Sequence, residues 1–233
     1  MAGLSAEAVV RAWEAGWGQP AAVQATALLS FGGLGDPCDP GTLDIGERDA
    51  RLLALREHTF GPRLECLAEC PACGEKLEFA THTSDLGLET GAPSGEPLLE
   101  AAGVRFRRIT AADLESIASA VSPGAAVRLL LDRIVGQTVA AGLRPDQIEA
   151  VEAALAEADP RSEILFDLRC PACAHSWQSQ FDIATFFSSE IAALGRRLVT
   201  EVHTLARAYG WSEHEILALP ARRRRLYLDL VGA

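Results

Sequence analysis

Four cysteines form two Cys-x-x-Cys pairs that have the same four residues and begin 100 positions apart. The first pair occurs in CPACGEKLEF, Cys70 to Phe79, and the second in CPACAHSWQSQF, Cys170 to Phe181. Two residues between cysteines allow both sulfurs to face one ion, while the tight turn aims backbone N–H groups at the thiolates. One pair supplies only half of the ligands that tetrahedral zinc takes, so the two pairs together complete a site.

We therefore predict one structural metal site with four thiolate ligands, Cys70, Cys73, Cys170 and Cys173. Zinc is the expected ion, and iron, which four thiolates also bind, is the alternative. A thioredoxin-like redox pair needs a single Cys-x-x-Cys at a helix start in an α/β pattern, and neither pair has that context. A catalytic zinc keeps one coordination position for water, whereas four thiolates leave none, so the predicted site is structural.

The residues that flank the two cysteine pairs also match at an offset of 100. The alternate apolar positions of 64–68 lie opposite those of 164–168, a period typical of a strand with one buried face. Beyond the turn, Leu77 lies opposite Trp177. Each unit is therefore predicted to be a strand, a turn and a second strand, with Cys66 on the buried face as an apolar residue.

The other cysteine and histidine positions do not suggest a second site. Cys38 lies in a Pro/Gly/Asp loop and is expected to be an ordinary thiol. His175, two residues after Cys173, would replace a ligand only if one cysteine failed to bind. The sequence contains no Gly-rich phosphate loop, nucleophile elbow or His-Glu-x-x-His motif. We therefore predict that the chain is not an enzyme and has no small-molecule substrate.

Composition limits the classes of partner. With 233 residues, 48% of them apolar, the chain can bury one sizeable core, with or without a small added module. The net charge of −11 disfavours non-specific binding to nucleic acid or to an anionic membrane. Neither a signal peptide nor a membrane span is indicated, so we expect a cytoplasmic protein whose six cysteines are free or metal-bound.

Caps and apolar spacing predict the elements around the cysteine pairs. The predicted elements are a helix from Ser5 to Gly16, one from Pro20 to Gly32-Gly33, one opened by a capping box of Asp44 and Glu47 and ending at Gly61-Pro62, a loop over Thr83 to Pro97, a hairpin over Leu98 to Ile109 that turns at Ala102-Gly103, and helices over 111–120, 125–135 and 145–158.

The C-terminal part has a different period. Apolar residues recur at spacings of three and four from Ile191 to Tyr209, which predicts a helix over 183–209 that is about 40 Å long. We interpret this stripe as core packing, with a docking face for another subunit as the alternative. Gly210 should end the helix, Ser212 and Glu215 offer a capping box, and Pro220 should begin a last short helix.

Together these elements predict a mainly helical α+β fold. Its zinc-ribbon-like module of two hairpins is split by a mixed hairpin and helix insertion. The predicted divisions are residues 1–61 for an N-terminal helical region, 62–86 with 162–182 for the zinc-ribbon-like module, 87–161 for the insertion, and 183–233 for the long helix and the short capped helices.

The stretch LARAYGWSEHEILALPARRRRLYLDLV resembles the closing segment of the baseplate proteins of T-even-type phages and related bacterial contractile injection systems. The segment CPACAHSWQSQFDIATFF, followed by a helix and EVHTLARAYGW, resembles the same family. The resemblance is best from about Arg51 to the end and weakest around 93–158. The cysteine turns are associated more with the zinc-knuckle members of the injection systems than with the phage proteins.

This resemblance implies a structural or assembly role in a phage-tail-like particle built in the cytoplasm. The implied partners are other baseplate, tube or sheath proteins, without a membrane and without catalytic residues. The candidate partner-binding residues are Trp211, Arg222, Arg223, Arg224, Arg225 and Tyr227.

The four consecutive arginines also allow a second function, that of a zinc-ribbon adaptor that contacts nucleic acid through this cluster. The net charge of −11 and the lack of aromatic residues interleaved with the basic ones stand against this function. A solvated or carboxylate-paired helix face is the structural interpretation of the same run.

Overall fold

The structure, a computed structural model, describes residues 3–32, 39–88, 90–91 and 98–232. Its helices are α1 (Ala6–Gly16), α2 (Ala21–Phe31), α3 (Ile45–Phe60), α4 (Ala111–Ile117), α5 (Pro123–Ile134), α6 (Gln137–Ala140), α7 (Pro145–Ala158), α8 (Ile183–Tyr209), α9 (Glu213–Ala218) and α10 (Ala221–Val231). Its strands are β1 (Arg63–Glu69), β2 (Lys76–His82), β3 (Leu98–Ala101), β4 (Val104–Arg107), β5 (Leu165–Arg169) and β6 (Ser176–Gln180). The strands pair in chain order as three antiparallel hairpins. The fold is therefore the mainly helical α+β class that the sequence predicts.

The main core lies between helices α1, α2, α3 and α8. Val9, Leu28, Leu52 and Ile191 are each at most 2% exposed there. Each such side chain contributes roughly 1.5–3 kcal/mol by leaving water. Leu64 of β1 is fully buried in the same cluster, so the first hairpin is anchored directly to the helical core.

Helix α8 has the bounds that its apolar spacing predicts. The carboxylate of Asp182 accepts hydrogen bonds from the N–H groups of Ala184 at 2.9 Å and Thr185 at 3.2 Å, which satisfies the free donors of the first turn. Gly210, with a φ of +70°, ends the helix in the left-handed conformation that glycine adopts without strain.

The apolar stripe of α8 packs into the protein. Ile191, Leu198 and Leu205 are at most 2% exposed, which agrees with the core-packing interpretation, while Tyr209 at the end of the stripe is 39% exposed. Where α1 packs on α8, a Cβ at Gly195 would lie 2.8 Å from the ring of Trp13. The two helices therefore approach closely only because position 195 is glycine.

The segment between the two cysteine hairpins has a core of its own. Val104 and Phe106 of β4 pack with Leu131 and Ile134 of α5 and with Val151 of α7, and each is at most 8% exposed. The insertion is thus a second packing unit that the chain forms before it returns to the second hairpin.

Several local predictions are confirmed. The inserted hairpin turns at Ala102-Gly103, where both residues have positive φ. Ser212 and Glu215 form the predicted capping box at the start of α9, and the structure adds one of Thr110 and Asp113 at the start of α4.

The predicted capping box of Asp44 and Glu47 is wrong. Asp44 occupies the N-cap position of α3, but its side chain makes no capping hydrogen bond. The N–H of Gly46 donates instead to Oδ2 of Asp159 at 2.8 Å, and the carboxylate of Glu47 accepts from Nε of Arg51 at 2.7 Å. A carboxylate from a distant part of the chain therefore caps α3, and local spacing does not indicate such a contact.

Two predicted loops are described only in part. Helix α2 ends at Phe31, just before the predicted Gly32-Gly33 end, whereas Gly33 and Cys38 lie outside the described residues. The predicted loop over 83–97 begins with a 3₁₀ turn at Thr83–Leu86, and positions 89 and 92–97 also lie outside the described residues.

Candidate metal centre

The two Cys-x-x-Cys turns have the same backbone hydrogen bonds. In the first turn, the N–H of Cys70 donates to the carbonyl of Glu75 at 2.8 Å, and the Cys70 carbonyl accepts from Gly74 at 2.9 Å. In the second, Cys170 donates to His175 at 2.8 Å and accepts from residue 174 at 3.0 Å. The equivalence at an offset of 100 therefore extends from sequence to hydrogen bonding.

One residue in each turn has a left-handed backbone. Gly74 has a φ of +74°, and Ala174 at the equivalent place has a φ of +59°. A glycine adopts this conformation freely, whereas the Cβ of an alanine meets the backbone and raises its energy. The second turn thus keeps the geometry of the first with a less suitable residue.

The two turns bring their four cysteine sulfurs together. The Sγ atoms of Cys70 and Cys173 are 3.7 Å apart, those of Cys73 and Cys170 are 3.6 Å apart, and all four lie within 4.8 Å of one another. A regular tetrahedron with metal–sulfur bonds of about 2.3 Å has sulfurs about 3.8 Å apart. The predicted ligands therefore form a cluster of the right size and chemistry to hold one metal ion.

The cluster is buried on one side and open on the other. Cys70 and Cys170, the first residue of each pair, are 1% and 2% exposed. Cys73 and Cys173, the second of each pair, are exposed. An ion bound there would have the protein interior on the side of Cys70 and Cys170 and solvent on the side of Cys73 and Cys173.

Backbone N–H groups point at the sulfurs, as the sequence predicts for such turns. Those of Cys173 and Ala172 lower the pKa of the Cys170 thiol to about 7. The N–H of Glu75 acts in the same direction on Cys73, but the neighbouring thiols outweigh it and raise the pKa of Cys73 to about 12. Four sulfurs this close repel one another as thiolates, and a divalent cation would remove that repulsion.

Aromatic rings connect the two hairpins to each other and to α8. The rings of Phe79 and Phe166 meet edge to face with centroids 5.3 Å apart. Phe181 continues the contact from Phe166 at 5.5 Å to Phe186 of α8 at 5.2 Å. Each such pair contributes about 0.5–1.5 kcal/mol beyond its buried area. Ring packing and the sulfur cluster thus fix the same hairpin pairing.

Two other residues near the cluster are not part of it. Cys66 lies on the inner face of β1 and is 9% exposed, as predicted for an apolar position. His175 is exposed, and its ring is stacked on that of Trp177 with centroids 6.1 Å apart. Within the described chain, the metal-binding group contains only the four predicted cysteines.

The predicted partner-binding residues separate into an aromatic cluster and a divided arginine run. The ring of Trp211 lies 4.7 Å from that of Tyr209 and 4.9 Å from that of Tyr227. Arg224 is only 5% exposed and pairs with Glu201 at 2.7 Å, so it faces the protein.

The other three arginines of the run are exposed. Arg225 pairs with Asp229 at 3.4 Å, so it and Arg224 match the carboxylate-paired interpretation. Arg222 and Arg223 make no ion pair with any described residue. The arginine run therefore offers two unpaired cations to a partner, not four.

The insertion contains a buried charge cluster that the spacing of residues in the sequence does not predict. Asp113 is 0% exposed and accepts from Arg107 at 2.6 Å and from Arg133 at 2.7 Å. Burial opposes ionisation, but the hydrogen bonds from Arg107, the N–H of Thr110 and Arg133 hold the pKa of Asp113 well below its usual value. The Thr110 and Asp113 spacing indicates the cap, whereas the arginines come from other elements. This cluster joins α4 to β4 and α5.

No protein-family model matches this chain, and neither a curated protein nor a solved structure is significantly similar to it. The resemblance to baseplate proteins therefore stays a prediction from the motifs quoted above. No described helix combines the length and hydropathy that crossing a bilayer requires.

Proposed function

We propose that Cys70, Cys73, Cys170 and Cys173 bind one zinc ion. The sulfur spacings of 3.6 and 3.7 Å support this, because they match the edge of a zinc–thiolate tetrahedron. Iron would accept the same ligands. Metal analysis of the purified chain, together with the absorption spectrum that an iron–thiolate site would give, distinguishes the two ions.

The ion would act as a structural link. Four thiolates fill a tetrahedral shell, so no coordination position is open to water or substrate. The link joins two hairpins that are separated by the whole insertion, and metal binding therefore contributes to folding directly. We accordingly propose that the chain is not an enzyme.

We propose further that the chain is a structural or assembly component of the baseplate of a contractile injection system, a phage-tail-like particle. The observation that carries this proposal is the pair of motifs that resemble baseplate proteins, CPACAHSWQSQFDIATFF and LARAYGWSEHEILALPARRRRLYLDLV. The packing of Tyr209, Trp211 and Tyr227 supports it, since three aromatic residues of the second motif form one cluster near the surface. Expected partners are other baseplate, tube or sheath proteins, in the cytoplasm.

Affinity purification of the tagged chain from cells that make the particle tests this proposal. Baseplate, sheath or tube proteins should co-purify, and deletion of the gene should leave particles absent or incomplete. Trp211→Ala should reduce co-purification, because large aromatic side chains dominate protein interfaces. Trp17→Ala is the matched control, since Trp17 is 67% exposed and its ring contacts Trp13, outside the cluster of Tyr209, Trp211 and Tyr227. Normal contractile particles in the deletion strain would contradict the proposal.

Binding to nucleic acid is not favoured as a second function. Within the four-arginine run only Arg222 and Arg223 lack an ion pair with a described residue, and the chain carries a net charge of −11. Two phosphate contacts give little affinity at physiological salt. Absence of a gel shift at low salt is the expected result.

A further inference from the structure

The outer faces of the two metal-binding hairpins differ, although their inner faces match. Leu67 pairs across the strands with Glu78, and at the same register the second hairpin pairs Asp167 with Gln178. Leu67 is 65% exposed. Because the second hairpin has the same fold without this leucine, the apolar outer face of the first is not required by the hairpin itself.

Leu67 lines an open groove of about 470 Å³ on the outer side of the first hairpin. Ala80 adds apolar surface to the groove, and three charged side chains border it, Arg63, Glu65 and Glu78. Glu65 pairs with Arg63 at 3.3 Å, whereas Glu78 has no ion-pair partner within the described chain. A groove of this kind suits an apolar anchor side chain that has a cation beside it.

One side of α10 has those properties. Arg222, Leu226 and Leu230 follow one another at spacings of four, so they lie on one side of the helix. Leu226 and Leu230 are 57% and 67% exposed, and Arg223 is exposed beside them. Arg224 faces the opposite way, into the protein. The exposed side of α10 is therefore a leucine stripe with two unpaired arginines at its start.

The groove and the leucine stripe lie toward opposite ends of α8. The second hairpin leads directly into the start of α8 at Asp182. The first hairpin packs against the second hairpin. Helix α10 is held near the far end of α8, where Arg224 contacts Glu201. Positions 183 and 201 of a helix are about 27 Å apart along its axis. The stripe can therefore fill the groove of a second molecule while α10 stays packed on α8. It cannot reach the groove of its own molecule.

We propose that the groove at Leu67 binds the Leu226 and Leu230 side of α10 from a second copy of this chain. Glu78, the carboxylate of the groove that has no ion pair within the described chain, then faces the unpaired arginines of α10. Each copy uses two different surfaces, so the contact is head to tail and repeats until a ring closes or a filament grows. This association does not depend on the baseplate role.

Sedimentation velocity of the metal-loaded full chain tests the proposal over concentrations of about 5 to 200 µM, the range suited to a small interface. The sedimentation coefficient should rise with concentration, and rise less at about 0.5 M NaCl because salt screens the charges. Leu67→Arg and Leu226→Arg should each weaken association about tenfold or more. Asp167→Arg, at the equivalent register of the second hairpin, is the matched control and should change nothing.

A mixture of the two disrupted variants tests the head-to-tail order. Leu67→Arg retains its α10 stripe and Leu226→Arg retains its groove, so the mixture should form dimers that cannot extend. Unchanged metal content and circular dichroism establish that both variants fold. Three results would overturn the proposal. These are a protein that is monomeric at every concentration, association that is unaffected by either substitution, and a mixture of variants that forms no dimers. If the chain is monomeric and Leu67→Arg instead loses a particle protein, the groove serves that protein, and only the baseplate role survives.

Discussion

The two cysteine hairpins share a turn but are held in place differently. The first has strands of seven residues and inserts Leu64 and Cys66, at 0% and 9% exposure, into the helical core. The second has strands of five residues, leaves Phe166 half-buried and continues through Phe181 into α8. Their common part is what four-sulfur coordination requires, and their different parts are set by the neighbours of each hairpin. The residues that the two hairpins share therefore form the sulfur cluster, and the residues that differ contact the surroundings of each hairpin.

The largest effect is expected from a change that removes a ligand from either hairpin. Cys70→Ser and Cys170→Ser should both abolish metal binding and lower the melting temperature, although the first hairpin is better anchored. Structural zinc contributes about 10–16 kcal/mol of apparent binding free energy in zinc-finger peptides, more than a single core side chain does. Metal analysis and calorimetry should show that the two variants lose metal and melting temperature to the same extent.

Cys66→Ala is the matched control for the ligand substitutions. It removes a buried thiol from β1, the strand that ends just before Cys70, but no ligand, so metal content should stay unchanged and stability should fall by only about 1 kcal/mol. Full metal content and an unchanged melting temperature in Cys170→Ser would mean that the hairpins do not share an ion.

A smaller effect is expected from the ring contact between the hairpins. Phe166→Ala should lower the free energy of unfolding by about 2–3 kcal/mol without loss of metal, because it removes a half-buried ring from the contact with Phe79. Denaturant unfolding of Phe79→Ala, Phe166→Ala and the double variant should give a coupling energy of about 1 kcal/mol. Strictly additive effects would show that the hairpins are joined through the sulfurs alone.

The smallest effect is expected from exchanging the turn residues. Gly74→Ala should destabilise the protein by about 1 kcal/mol, and Ala174→Gly should stabilise it by up to about 1 kcal/mol, because both positions have positive φ. Thermal unfolding at saturating zinc measures both changes. Stability changes of opposite sign would confirm that the two turns have the same backbone conformation with different residues. Changes of the same sign would contradict it.

Sequence predicts the repeated and the periodic parts of this molecule well. The offset of 100 identifies both hairpins and the four sulfurs that converge, because the ligand spacing and strand alternation are local properties. The bounds of α8 follow from its apolar period, with Asp182 and Gly210 at its ends. Local chemistry decides these features, so a single sequence contains them.

Contacts between distant segments are the part that sequence does not predict. Asp159 caps α3, although Asp44 stands at the N-cap position. No sequence spacing between Asp159 and α3 indicates that Asp159 takes this role. Arg224 is buried while the arginines beside it are exposed, because α10 packs on Glu201 from a different helix. Which residue caps a helix, and which arginine faces the interior, depends here on how distant helices pack. The local sequence pattern does not specify that packing.

The separation of the two cysteine pairs has a consequence for synthesis on the ribosome. At 5–20 residues per second, the roughly 100 residues between Cys73 and Cys173 take about 5–20 s to translate. During that time the first pair can offer only two sulfurs, too few to hold zinc tightly. The insertion therefore has time to form its own core first, and under the proposed zinc binding the ion would be captured only after the second hairpin has been made.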